Sequence, residues 1–178
     1  MSGDTIIVRL ANAHDQGFVQ HIITEIETAS KIKGTGICKR DPALIIRKIA
    51  EGDAVIALTR TGTWVGFCYI QAHDNGRFVS SCALVVSPCF RGSGIATRIK
   101  EQILALAKNK YPTAKIFGLT TSPVVMQINS ELGYEEVSYD AITQASSFWQ
   151  SCRSCENYDI LLRNDGKNCL CKAMVCKG

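Results

Sequence analysis

Proline is scarce in this chain, 4 in 178 residues, and only 3 histidines and 7% aromatic residues are present. So little proline excludes a Pro-rich linker, and the lack of any Gly-X-Y period excludes a collagen-like fibre. Long apolar runs are also missing. The most apolar stretches, Ala83 to Val86 and Ile103 to Ala107, fall far short of the roughly 18 to 20 residues that cross a bilayer. Neither sign of charge forms a block: 20 Lys+Arg stand against 16 Asp+Glu, for a net charge of +4. The basic residues are scattered among acidic ones and are not interleaved with aromatics, which argues against nucleic-acid binding. Met1-Ser2-Gly3-Asp4 lacks the basic region, apolar core and cleavage site of a secretory signal, so a cytoplasmic protein away from membranes is expected. What is present is a 46% hydrophobic content in a length that fits one domain over residues 1–178.

Thr5 to Leu10 is rich in β-branched residues and reads as a first strand. Asp15 is expected to cap a helix whose apolar positions Phe18, Val19, Ile22, Ile23 and Ile26 recur at helical spacing. Gly34-Thr35-Gly36 is read as a flexible segment, after which Asp41-Pro42 announces a second helix that Gly52 ends. Ala54 to Arg60, Thr63 to Ala72 and Phe78 to Ser87 are separated by turn residues and predict a three-stranded antiparallel meander. Gly94 to Lys108 is an amphipathic helix on its Ile95, Ile99 and Ile103 stripe, and Ala114 to Thr121 a short strand. Ser122-Pro123 starts a further helix that Gly133 closes. Strands over Tyr134 to Ile142 and Cys169 to Cys176, with a helix over Ser146 to Cys155, complete a mixed α/β fold with no internal repeat.

The stretch from Val85 to Ala96 is the most informative. A strand runs into the Gly-rich turn Arg91-Gly92-Ser93-Gly94, which opens a helix, so unpaired backbone N–H groups and the positive end of the helix dipole converge on one point. Such a turn suits an anion, and Arg91 adds charge-assisted donors for phosphate oxygens. The alternative is tight packing alone. No Gly-Lys-Ser/Thr of a P-loop is present, and Arg-Gly-Ser-Gly-Ile-Ala is not the Gly-x-Gly-x-x-Gly dinucleotide pattern.

Val86-x-Pro88-x-Phe90-Arg91-Gly92-x-Gly94-Ile95-Ala96, followed by an amphipathic helix, a strand and a helix ending in Leu132-Gly133-Tyr134, resembles the GNAT superfamily of acyl-CoA-dependent N-acyltransferases over roughly residues 5–142. The resemblance implies a mixed, mainly antiparallel sheet splayed between its fourth and fifth strands. It implies acetyl-CoA, or another short acyl-CoA, as co-substrate, with the N–H groups of Arg91, Gly92, Ser93, Gly94, Ile95 and Ala96 on the pyrophosphate. Backbone at Leu84, Val85 and Val86 would meet the pantetheine arm and thioester carbonyl, and a neutral amine would attack directly, with the Val86 N–H stabilising the oxyanion.

Within that family, Gly36-Ile37-Cys38-Lys39-Arg40, Leu119-Thr120-Thr121 and Glu131-Leu132-Gly133-Tyr134 are similar to stretches of the acyltransferase domain of N-acetylglutamate synthases. This implies an amino-acid acceptor, glutamate or a relative, with Lys39 or Arg40 on its carboxylate and Thr120 and Thr121 beside it. It also implies a place in amino-acid metabolism such as arginine biosynthesis, and leaves a homodimer open. Two positions depart from the family. Ser80 stands where many members carry a Glu base and Asn129 where they carry a Tyr acid, so a water chain leading from Ser80, Ser81 or a carboxylate elsewhere is the expected base. Cys82 and Cys89 flank the motif without an acidic or His sequence neighbour and read as small hydrophobes. His14, His21 and His73 are too far apart in the chain for a metal site or triad.

Nine cysteines without a signal sequence point to reduced thiols or a metal site. Cys152-x-x-Cys155 and Cys169-x-Cys171 provide four soft ligands near zinc-site spacing in a Cys-rich segment over residues 146–178. Structural zinc, plain thiols and a redox pair all fit that spacing.

Overall fold

A computed structural model of the chain describes residues 4–33 and 39–178. Gly34-Thr35-Gly36 and Cys38 lie outside the described residues. The described strands are β1 (Ile6–Leu10), β2 (Ala54–Thr59), β3 (Trp64–His73), β4 (Phe78–Val86), β5 (Lys115–Thr120), β6 (Tyr134–Val137) and β7 (Lys172–Cys176). They form one sheet in the order β1-β2-β3-β4-β5-β7-β6, antiparallel throughout except where β4 runs parallel to β5.

The expected meander is β2 to β4. Apart from the polar ends of β3 and β4 around Gln71, His73, Ser80 and Ser81, its residues are mainly apolar on both faces, and helices cover both. On one side α1 (Val19–Lys33) and α2 (Pro42–Ala50) bring Ile22, Ile26, Ile45 and Ile49 against Ile56 and Phe67. On the other, α3 (Ile95–Lys110) and α4 (Pro123–Glu131) bring Ile99, Ile103 and Met126 against Val55, Val65 and Val79. Each such buried isoleucine contributes about 1.5–3 kcal/mol relative to exposure. The close approach of α3 needs Gly66 on β3, because a Cβ there would lie 2.7 Å from Ile99 Cδ1 and 2.9 Å from the Val85 carbonyl oxygen.

Local signals at the helix starts are kept. Asp41 accepts from the Ala43 N–H at 2.9 Å with Pro42 in the first turn, and Ser122 caps α4 ahead of Pro123. The first helix differs from expectation. Asn12, not Asp15, is the cap, and it opens a 3-10 turn over Ala13–Phe18 that leads into α1. Asp15 closes the capping box by accepting from the Asn12 N–H at 2.8 Å, and both its oxygens receive Arg9. Burial alone pushes the Asp15 carboxyl up, but Arg9 and the Asn12 N–H bring it below the usual carboxylate value.

The C-terminal third also departs from the sequence reading. The strand after Gly133 stops at Val137 and gives way to a 3-10 turn over Tyr139–Ala141. The helix expected from Ser146 divides into α5 (Ser146–Gln150) and a 3-10 turn (Ser151–Ser154), and α6 (Tyr158–Arg163) follows where none was expected. Phe148, Trp149, Tyr158 and Leu161 of this segment pack with Phe117 and Tyr139 into a third cluster beside β5 and β7. No helix among the described residues is long and apolar enough to cross a membrane.

Candidate active site

Pairing between β4 and β5 is short: Phe78↔Lys115, Val79↔Ile116 and Ser80↔Phe117, then nothing. Past Ser80 the register of β4 against β3 shifts opposite Cys68, and Ala83 adopts φ 57. An extra residue in one strand of a pair bends it and increases its twist. Here the bend carries β4 away from β5 and opens the sheet at Ser81 to Val86. The Ser87 N–H donates to the Val65 carbonyl at 2.8 Å, which makes Gly66↔Val86 a non-hydrogen-bonded pair, so the Val86 N–H faces away from β3 toward the opening.

Val86 leads into the Gly-rich turn. Gly92 (φ 75) and Gly94 (φ 78) sit in the left-handed region, where a side chain would be strained, and Gly94 is the N-cap of α3 with no side-chain cap. Among the described residues, the N–H groups of Gly92, Ser93 and Gly94 have no backbone acceptor, and those of Ile95 and Ala96 open the helix. These five N–H groups are the candidate anion cradle. Arg91 does not complete the expected set: its N–H donates to the Pro88 carbonyl and its Nε to the Val86 carbonyl at 2.9 Å. It braces the turn against the end of β4.

A cavity of about 580 Å³ lies at the opening. Lys39, Arg40, Thr120, Thr121, Ser80, Leu84 and Asn129 all line it, which brings together residues singled out from distant parts of the sequence. Val85 instead packs toward α1 and α2. The Lys39 N–H donates to Ser154 Oγ at 3.1 Å, joining the Lys39-Arg40 segment to the C-terminal helices across the cavity mouth. Asn129 is buried, donates to Met174 Sδ at 3.7 Å, and its Oδ1 has no donor among the described residues.

Ser80 does not stand alone. Its Oγ lies 2.9 Å from His73 Nε2, 3.3 Å from Cys82 Sγ and 3.4 Å from the Gln71 carbonyl. His73, set aside in the sequence as isolated, sits one strand over. The β3–β4 turn over Asp74-Asn75-Gly76 folds it back beside Ser80 (Gln71↔Ser80, His73↔Phe78). Its ring packs on Phe117 and Phe148, and burial holds its pKa below the ordinary 6.5, with Lys48 acting in the same direction and Asp74 against it. The missed signal is the alternation of a hairpin, which brings residues seven apart onto one face.

The proposed zinc tetrad is not assembled. Among the described residues no three His, Cys, Asp or Glu side chains come together to hold a metal ion. Cys169 and Cys171 precede β7 and do not share a strand face, and Cys169 Sγ is 3.6 Å from the Asn157 carbonyl. Cys152, Cys155, Cys169 and Cys171 are thiols that line the cavity wall with the aromatic residues of α5 and α6.

A mixed sheet opened between two parallel strands, with a glycine-rich turn leading into the following helix, defines the α/β class of the protein. Residues 16–123 match the model of the acetyltransferase (GNAT) family, and the chain belongs to that family. No curated protein matches the sequence. Among solved structures, N-acetylglutamate synthase from Neisseria gonorrhoeae, complexed with coenzyme A and N-acetyl-glutamate, superimposes with a TM-score of 0.68 at 17% identity. It is matched over 97% of this chain, which spans only 35% of the synthase. Rv2747 from Mycobacterium tuberculosis, in complex with CoA, gives 0.67 at 18% identity, over 96% of this chain and 98% of that one. A phosphinothricin acetyltransferase from Sinorhizobium meliloti, in complex with AcCoA, gives 0.63 at 17%, over 98% and 90%. The mixed sheet splayed between β4 and β5 is thus the fold expected from the sequence.

Proposed function

We propose that this protein transfers an acyl group, acetyl in the first instance, from an acyl-CoA to the α-amine of an amino acid, with glutamate or a close relative as acceptor. The observation that carries the reading is the single cavity at the β4–β5 opening. Its wall carries Leu84 of the β4 bend, a hydroxyl backed by an imidazole, the cations of Lys39 and Arg40, and the hydroxyls of Thr120 and Thr121.

The N–H groups of residues 92–96 hold the pyrophosphate, and the Val86 N–H donates to the thioester oxygen as negative charge develops there. Preorganised donors of this kind are worth about 3–4 kcal/mol each in comparable sites. Lys39 and Arg40 pair with the acceptor's carboxylates, with Thr120 and Thr121 fixing its orientation. The amine N–H donates to Ser80 Oγ, whose own O–H donates to His73 Nε2, so the proton lost on attack ends on the imidazole. Ser80 thereby replaces the carboxylate base of other family members as a relay, and no water chain is needed. Such a reaction places the enzyme in cytoplasmic amino-acid metabolism, consistent with an arginine-precursor role.

Release of CoA thiol from acetyl-CoA and succinyl-CoA, measured against free amino acids, polyamines and a generic peptide, tests the reading. Turnover with glutamate or a relative is expected. Turnover confined to polyamines or peptide would overturn the acceptor, and CoA binding with no turnover on any amine would make the chain a binding module.

A further inference from the structure

Lys100 is a charged residue inside an apolar stripe. It stands four residues from Ala96 and four from Leu104 on α3, and its side chain points into the protein with the residue only 3% exposed. Its Nζ donates to Ser81 Oγ at 2.7 Å and lies 5.3 Å from the centre of the Tyr134 ring. Among the described residues no carboxylate reaches it within ion-pair distance. The groups facing it are the Cys68 thiol of β3, Cys82 of β4, Tyr134 of β6 and Cys176 of β7. Burial pushes the Cys68 thiol up to about 12, so it stays protonated and offers no negative charge. Tyr134 is pushed up as well, and its buried hydroxyl has no hydrogen-bond partner among the described residues. An ammonium removed from water without a counter-charge costs several kcal/mol. Burial accordingly lowers the Lys100 pKa. The lysine nevertheless lines the cavity, and so does Ser81.

The two serines of β4 sort the cavity into two sides. Successive residues of a strand face opposite ways: Ser80 turns to His73, and Ser81 turns to α3 and Lys100. The anion cradle belongs to the start of the same helix, so a cofactor held there by its phosphates approaches the opening on the Lys100 side. The amine attacks from the Ser80 side, and the sulfur leaves toward the other.

We propose that Lys100 is the catalytic residue that meets the departing CoA sulfur, pairing with its negative charge and giving it a proton. The C–N bond forms as the C–S bond breaks, and the electron pair of the C–S bond goes to sulfur. A proton passes from Lys100 Nζ to that sulfur, yielding the CoA thiol. The acceptor's proton leaves through Ser80 to His73, the neutral lysine regains a proton from water, and the imidazolium returns one. This assignment rests on the acyl-CoA reading above.

Calorimetric binding of CoA and of desulfo-CoA, which lacks the sulfur, separates the two ideas without turnover. In the wild type the preference for CoA over desulfo-CoA is expected to rise several-fold from about pH 7 to about pH 9, as the thiol with an ordinary pKa near 8.5 ionises beside Lys100. In Lys100→Met both ligands bind alike at either pH. Desulfo-CoA binding with no sulfur preference in the wild type overturns the role of Lys100 and leaves the acyl-CoA reading standing. Binding of neither ligand overturns both. A preference retained in Lys100→Met, with a raised KM for the amino acid, would assign Lys100 to the acceptor's carboxylate and so also overturn the proposal. Lys100→Gln serves the same comparison if the methionine variant fails to fold.

Discussion

Replacing His73 by glutamine removes the terminus of the proposed proton route while leaving Ser80 a hydrogen-bonding neighbour. Proton transfer to a positioned base contributes about 10²–10⁴-fold. The rate at saturating acceptor is therefore expected to fall at least about a hundredfold, or about 2.7 kcal/mol in activation free energy. The pH dependence is more diagnostic. His73 packs against Phe117 at 5.9 Å and Phe148 at 5.2 Å between ring centres, and burial disfavours its charged form. It accepts a proton only as neutral imidazole, so the rate falls about tenfold per pH unit below its lowered pKa, itself below 6.5. Stability follows the same sign. The unfolded chain takes up the proton more readily, so the stability contributed above the unfolded pKa is lost as pH falls through 6.5 toward the folded value. The assay is CoA thiol release with saturating glutamate from about pH 5 to about pH 8, alongside thermal unfolding of both proteins to separate catalysis from folding. A His73→Gln enzyme with the wild-type rate and the same acidic limb would refute the relay.

Gly94→Ala forces an alanine to φ 78 at the start of α3 and is expected to cost about 1 kcal/mol of stability, with weaker CoA binding, read by thermal unfolding and calorimetry. Arg40→Met is expected to raise KM for the amino acid about tenfold with kcat little changed, since a hydrogen bond to a charged group contributes about 1.5–3 kcal/mol; an unchanged KM would remove Arg40 from the acceptor site. Cys82→Ala should keep the rate within about threefold, because direct attack makes no covalent intermediate on the protein. A burst of acyl-enzyme that disappears in this variant would show that Cys82, 3.3 Å from Ser80, is a nucleophile instead. Lys48→Met leaves Asp53, 5% exposed, with Lys110 alone, and should destabilise the fold by about 3 kcal/mol in chemical denaturation.

Periodicity and turn chemistry made the N-terminal two thirds legible. Asp41-Pro42 and Ser122-Pro123 act where local rules place them, and the continuous apolar run of β2 reflects cover on both faces. What stayed hidden depends on partners distant in space. Asp15 looked like a cap because its role in receiving Arg9 across the β1 turn has no local signature. Ser80 was visible as a departure from the family pattern, but its imidazole came from the neighbouring strand, and hairpin register decides that pairing. The cysteine spacing suggested a tetrahedron, yet Cys152 lies in a 3-10 turn and Cys169 in the approach to β7, and spacing along a chain does not fix their vectors. Lys100 did carry a signal, a charge on an apolar helical stripe, which composition alone conceals.

The placement of β7 between β5 and β6 has a consequence for biosynthesis. β5 pairs with β7 from Phe117↔Val175 to Thr120↔Lys172, and among the described residues β6 pairs only with β7. A chain growing at roughly 5–20 residues per second therefore exposes two unsatisfied strand edges for seconds before residues 172–176 leave the ribosome. The sheet can zip from β1 to β5 during translation, but the half that walls the cavity closes only afterwards, in one late event. A nascent chain stalled before β7 would present these edges to other stalled copies, so slower translation over the C-terminal segment is expected to lower the yield of folded protein.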